Sequence, residues 1–340
     1  MGSEEEGAVT VRASRGLRAL ACAVALAGSA NVFAAANDCD RACLKTSLDQ
    51  YLNAVIKHDP AAAPLFVGFR QTENAVVVRL GTGTWKTVTG LGKFQRRYLD
   101  PVSGQAAYFG TVEEGSDQAI VTVRVRVENR KITEAEWILA RKGNPGLNGL
   151  DAKGQPSGNF FDPENLAANP PSDKPVAKEL RSSREAMIAA TNSYFDGITT
   201  HDGSIIMAYP GCNRTENGNT VTGRGRGPAA AKAKGDPASP NDCTSNLANI
   251  NVQLVAARRY PVVDEEAGVV LALAVFLRKP GTATRRNMFS EWFIIENNKI
   301  RSIYSAMFYP SPEEPVPNWP PYEGNWPLPA TFAAPPAAGR

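Results

Sequence analysis

Residues 51–74 read YLNAVIKHDPAAAPLFVGFRQTEN, and residues 194–217 read YFDGITTHDGSIIMAYPGCNRTEN. Tyr51, His58, Asp59, Thr72, Glu73 and Asn74 recur as Tyr194, His201, Asp202, Thr215, Glu216 and Asn217, all at an offset of 143 without a gap. Further on, Glu128-Asn129-Arg130-Lys131-Ile132 recurs as Glu296-Asn297-Asn298-Lys299-Ile300 at an offset of 168. The second copy therefore carries 25 additional residues between these landmarks, the difference of the two offsets. Identities in one register, followed in order by more, indicate a tandem duplication.

Each copy has the same coarse order. The spacing of Leu44, Leu48, Tyr51, Leu52 and Val55 predicts an amphipathic helix over 40–57, ended by the His-Asp turn. An apolar segment and a strand into Thr-Glu-Asn follow, then a Gly-rich loop that holds Trp85 in copy one. Val121, Val123, Val125 and Val127 alternate with Thr122, Arg124 and Arg126, which predicts a half-buried strand. Asn129-Arg130 turns it into a second strand at 132–141. Copy two repeats this at 288–295 and 300–309. A helix followed by an antiparallel meander indicates an α+β fold, with helices on one face of a curved sheet.

The rest of the chain bounds these units. Its 340 residues are 43% hydrophobic and 21% charged, an ordinary folded composition, and the length suggests two domains. A formal charge of +3 argues against nucleic-acid binding by bulk electrostatics. Two histidines disfavour His-rich metal centres, so no metal and no cofactor is expected. No P-loop, complete GxGxxG or GxSxG is present.

Residues 1–36 resemble a secretory signal: Arg12, Arg15 and Arg18 precede an apolar run, and Ala34-Ala35-Ala36 offers a cleavage site. The run is too short for a stable membrane span, and a secreted or periplasmic location follows. Four cysteines remain after cleavage, and the expected disulfides are Cys39–Cys43 and Cys212–Cys243. The organisation expected is a signal (1–36), a first unit (37–142), a linker (143–178), a second unit (179–310) and a Pro-rich tail (311–340). Residues 223–242 form a low-complexity insertion.

YLNAVIKHDP and YFDGITTHDG, Thr-Glu-Asn followed by Gly81-Thr82-Gly83-Thr84-Trp85, and the ENRKI and ENNKI turns together resemble the SnoaL-like branch of the nuclear transport factor 2-like fold. They are similar to an uncharacterised exported family of fungi and bacteria with two such units. The resemblance implies two tandem cone-shaped units, each opening on an apolar pocket. It further implies either cofactor-independent chemistry of the lyase or isomerase type, by proton abstraction with elimination or retro-aldol cleavage, or a non-catalytic binding or interaction module. Copy two lacks a Trp matching Trp85, so the pockets are not expected to be equivalent. The expected partner is a small apolar or aromatic molecule, with a homodimer as a further option.

Glu73 and Glu216 are the first candidates for a general base, since a carboxylate walled by apolar groups has its pKa raised. Asn74 and Asn217 could stabilise an oxyanion. The other reading of both motifs is a structural network that caps a turn. His58 and His201 could act as oriented bases, or could close the helix ends. Tyr51 and Tyr194, Arg70 and Arg214, and Trp85, Trp292 and Tyr304 are candidate substrate contacts, against a plain core role for the aromatics. Arg96-Arg97-Tyr98 and Arg258-Arg259-Tyr260 are read as a rim, and Asn213-Arg214-Thr215 is a glycosylation sequon.

Overall fold

The computed structural model describes residues 38–158, 160–222, 242–279 and 285–310, and in it the sequence repeat is a structural repeat. Asp40 accepts a hydrogen bond from Cys43 N and starts helix α1 (Arg41–Ile56), which buries Leu44, Leu48, Tyr51, Leu52 and Val55. The helix gives way to a left-handed His58, and Asp59 caps the turn that follows. Then come β1 (Leu65–Glu73), β2 (Val76–Val78), a short helix α2 (Thr84–Thr87), β3 (Gly90–Asp100), β4 (Gln105–Glu114), β5 (Asp117–Glu128) and β6 (Lys131–Arg141). The connecting segment contains α3 (Pro163–Ala168). The second unit has α4 (Arg184–Thr200), β7 (Ala208–Glu216), β8 (Asn219–Thr220), β9 (Val252–Asp264), β10 (Val269–Arg278), β11 (Asn287–Glu296) and β12 (Lys299–Phe308).

The sheets have strand orders β2-β1-β6-β5-β4-β3 and β8-β7-β12-β11-β10-β9. The expected wholly antiparallel sheet is corrected: both sheets are mixed. β1 runs parallel to β6, and β7 runs parallel to β12. The chain leaves each helix, lays down one strand, and returns through a meander whose last strand closes against that first strand. The Asn129-Arg130 and Asn297-Asn298 turns have φ of 49°, 57°, 48° and 61°, the left-handed pair that tight hairpins demand.

Each sheet has two covered faces. Val121, Val123, Val125 and Val127 of β5 pack toward α1, and Phe289, Phe293 and Ile295 of β11 pack toward α4. The opposite faces meet each other through Phe94, Tyr98, Phe109, Ile120 and Ile138 of unit one and Leu271, Leu273, Trp292 and Tyr304 of unit two. The layers are therefore helix, sheet, sheet, helix. This corrects the half-buried reading of β5. Thr122 and Arg124 are also buried, because the second sheet covers them.

The junction between the sheets is pseudo-symmetric. Asp100 accepts from Val263 N (2.9 Å) and Arg184 (2.9 Å). Asp264 accepts from Leu99 N (2.8 Å) and Arg41 (2.8 Å). Ser290 Oγ meets Thr122 Oγ1 at 2.6 Å. Off this axis, Glu136 is clamped by Arg124 of its own unit (3.0 Å) and Arg259 of the other (2.5 Å). Burial opposes the Glu136 charge, but the two guanidiniums outweigh it and hold the carboxyl below its usual range. The connecting segment is tied down too, since Asp162 N donates to Asn217 O at 2.8 Å.

Cys39–Cys43 and Cys212–Cys243 are both bonded. Two disulfides belong to an oxidising, extracellular type of compartment. No helix among the described residues is long and apolar enough to cross a membrane. The expected signal (1–36), most of the insertion (223–241) and the tail (311–340) lie outside the described residues.

Candidate functional site

The Thr-Glu-Asn motif ends the first strand of each sheet. Asn74 and Asn217 open the turns to β2 and β8 at φ 47° and 44°. Their side chains then do the work of a missing backbone. Asn74 Oδ1 accepts from Leu139 N (2.8 Å) and its Nδ2 donates to Leu139 O (3.4 Å). Asn217 repeats this on Met307, at 2.7 and 3.1 Å. Each amide extends the parallel ladder by one rung, which is a bracing role and leaves the carbonyl oxygen committed.

Glu73 and Glu216 share a position but not an environment. Glu73 Oε1 accepts from Gln71 Nε2 (3.0 Å), Thr84 N (2.7 Å) and Thr84 Oγ1 (2.8 Å), so it fastens the start of α2. Any side chain at Gly83 would run into this carboxylate, and φ there is +59°. Glu216 instead lies 2.8 Å from Arg214 Nε.

The interior of unit one is filled. On the helix side of the sheet, Glu73, Trp137, Val123 and Tyr108 stand in one row across β1, β6, β5 and β4. Trp137 Nε1 donates to Tyr51 OH (2.9 Å), while Tyr51 OH (2.8 Å) and Trp85 Nε1 (2.7 Å) both donate to Gln71 Oε1. All of these donors are satisfied within the core.

The same row in unit two reads Glu216, Ser305, Glu291 and Ala272. An indole, an isopropyl and a phenol are replaced by a hydroxymethyl, a carboxylate and a methyl. Gln71 is replaced by Arg214 at the offset of 143. Trp85 is replaced as well. His58 Nδ1 holds Trp85 O at 2.7 Å, and His201 Nδ1 holds Leu247 O at 3.0 Å, so Leu247 stands where Trp85 stood. Two tryptophans and a tyrosine have left this interior. Phe195, Phe289 and Phe293 replace Leu52, Val121 and Val125, and give it aromatic walls.

Within those walls Glu291 is 2% exposed, and its Oε2 has no hydrogen-bond partner among the described residues. Ser305 Oγ is likewise buried without a partner there. Arg214 Nη1 lies 2.7 Å from Tyr194 OH. Burial is the main cause that pushes the Glu291 carboxyl up to about 8. Glu216 adds to the rise and Arg214 opposes it. Desolvation works against the Arg214 charge, but Tyr194, Glu216 and Glu291 outweigh it and keep the guanidinium protonated. Burial also raises the Tyr194 phenol, against the pull of Arg214. The result is a buried carboxyl poised near neutrality, beside a fixed cation and a phenol.

The other expected site residues are dispersed. Trp292 and Tyr304 do not line an interior. They are on the opposite sheet face, where Trp292 stacks on Phe109 (5.4 Å) and donates to Thr122 (2.9 Å). Side chains alternate along a strand, so Glu291 and Ser305 face inward while their neighbours Trp292 and Tyr304 face the other unit. Arg70 is beside Glu134 in the ladder and is not the counterpart of Arg214; Gln71 is. His58 and His201 brace loops through their Nδ1 atoms. Trp85 is core. Asn213 is exposed, on the strand face opposite Arg214. Glu291 is the residue missed. The signal was in the repeat register, since an offset of 168 aligns it with Val123 in a row of apolar positions.

Residues 180–307 match the profile of a domain of unknown function (DUF8021), which covers the second unit. No curated protein matches the chain.

Proposed function

We propose that the second unit is the working half of an exported, cofactor-independent enzyme acting on a small, largely apolar or aromatic molecule. Glu291 is its proton-transfer group. As a carboxylate it takes a proton from a carbon next to a carbonyl, and the electron pair moves onto the carbonyl oxygen. Arg214 and Tyr194 stabilise that oxygen. Return of the proton to another carbon completes an isomerisation, and loss of a leaving group completes a lyase reaction. A secreted or periplasmic setting is part of this reading, as is a SnoaL-like cone for each unit. The observation that carries it is Glu291, a buried carboxyl whose Oε2 has no hydrogen-bond partner among the described residues, in an interior from which bulky side chains have been removed. Unit one, with its interior filled, is the scaffold.

The test is native and denaturing mass spectrometry of small molecules that co-purify with the protein, followed by turnover of the released compound. Wild type should convert it with a pH profile that turns near 8. Glu291→Gln should keep the compound and lose turnover by 100-fold or more, in the range ascribed to a general acid or base. Glu73→Gln should leave turnover intact. Equal turnover in wild type and Glu291→Gln would remove the mechanism. Retention without conversion by wild type would leave a binding module.

A further inference from the structure

The Arg96-Arg97-Tyr98 motif is at the end of β3, where the units meet. A cavity of about 290 Å3 opens there, lined by Arg41, Arg96 and Tyr98 of unit one, Lys174 of the connecting segment, and Asp264 and Glu266 of unit two. This is near the lower end of the size range of small-molecule sites. Tyr98 is 3% exposed, and its hydroxyl has no partner among the described residues. A buried hydroxyl without a partner is costly unless something completes it. Burial raises this phenol, with Arg96 opposing, so it remains a donor at physiological pH. Arg96, Asp264 and Asp173 act on its charge, and all three line the cavity.

Arg96 shares a strand face with Tyr98, two residues away. Both of its hydrogen bonds go to carbonyls, Pro171 O (2.9 Å) and Gln95 O (2.9 Å). The other arginines that line the cavity are matched to carboxylates: Arg41 to Asp264 (2.8 Å) and Arg97 to Asp49 (2.5 Å). Arg96 and Tyr98 are therefore two donor side chains that line one cavity, whose buried acid, Asp264, is already taken by Arg41 and Leu99 N. Asp173 and the half-exposed Glu266 stand at the rim and disfavour a dianion.

We propose that this junction is a second binding site, for a small organic monocarboxylate. The carboxylate takes the Arg96 guanidinium and the Tyr98 hydroxyl, and the organic part fills the cavity. Such a planar, singly charged group suits a guanidinium fork. The site is independent of the interior around Glu291, being on the other face of the sheets.

The experiment is calorimetric titration of the whole chain with benzoate, against benzamide and inorganic phosphate. Benzoate should bind saturably, and benzamide and phosphate at least tenfold more weakly. Arg96→Gln should weaken benzoate at least tenfold. Tyr98→Phe, which removes one oxygen and leaves the packing, should weaken it several-fold with an unchanged melting temperature. Arg214→Gln, in the interior of unit two, should leave benzoate binding unchanged. No saturable benzoate binding, or equal binding of benzamide, would overturn the proposal. So would loss on Arg214→Gln with retention on Arg96→Gln, which would place the ligand in the interior instead.

Discussion

At the scale of the residue, Glu291 makes a carboxyl group speak for its surroundings. An unfolded glutamate titrates near the ordinary 4.5, and this one is pushed up to about 8 by burial. Between those values the folded chain holds a proton that the unfolded chain has lost. The contribution of Glu291 to stability is thus fully present below about 4.5, falls as pH rises, and is lost by about 8. Glu291→Gln has no such titration. Its unfolding free energy is expected to fall less between pH 5 and pH 8.5, by on the order of a few kcal/mol relative to wild type. Urea denaturation at the two pH values measures this. Parallel pH dependence in the two proteins would mean that Glu291 titrates normally.

At the scale of the element, one residue type does one structural task twice. Asn74 and Asn217 each present an amide to the strand beside them, and each replaces a rung of the ladder. Removing the amide leaves Met307 N or Leu139 N without its acceptor. Asn217→Ala is buried and is expected to cost about 1–3 kcal/mol, with Asn74→Ala toward the lower end. Thermal or urea unfolding of the two variants checks the order. This role was half legible beforehand, since repetition in both copies already suggested bracing. The division of labour between Glu73 and Glu216 was not. It depends on Gln71 and Thr84 in one unit and Arg214 in the other, side chains brought together by strand pairing and loop closure. Helix, turn and meander were legible because their signals are local: a 3.6-residue period, a His-Asp stop, and Asn-rich turns. The parallel closure of β1 on β6 was not, because nothing in either strand alone states its partner's direction.

At the scale of the molecule, two copies in one chain form a four-layer body with an apolar seam between the sheets. Asp100 and Asp264 exchange equivalent contacts across it, as in a symmetric dimer held by a linker. The second unit expressed alone, residues 179–310, would expose Leu271, Trp292 and Tyr304. It is expected to self-associate rather than remain monomeric, which size-exclusion chromatography with light scattering reports. A stable monomer would show that the seam is dispensable to unit two.

The amino-acid sequence by itself determined the duplication, the α+β class, and the positions of the leading helix and the closing hairpin of each unit, and it favoured the cysteine pairing that the structure shows. These rest on periodicity, identity in register and chain proximity, all of which are properties of the chain read in order. Only the tertiary structure decided which carboxylate matters and which faces are dry. Glu291 is set apart by losses at Trp137, Tyr108 and Trp85 that lie far from it in sequence and are compared only once both sheets are built. Trp292 and Tyr304 became seam rather than site because a second sheet covers a face that a lone unit would leave to water.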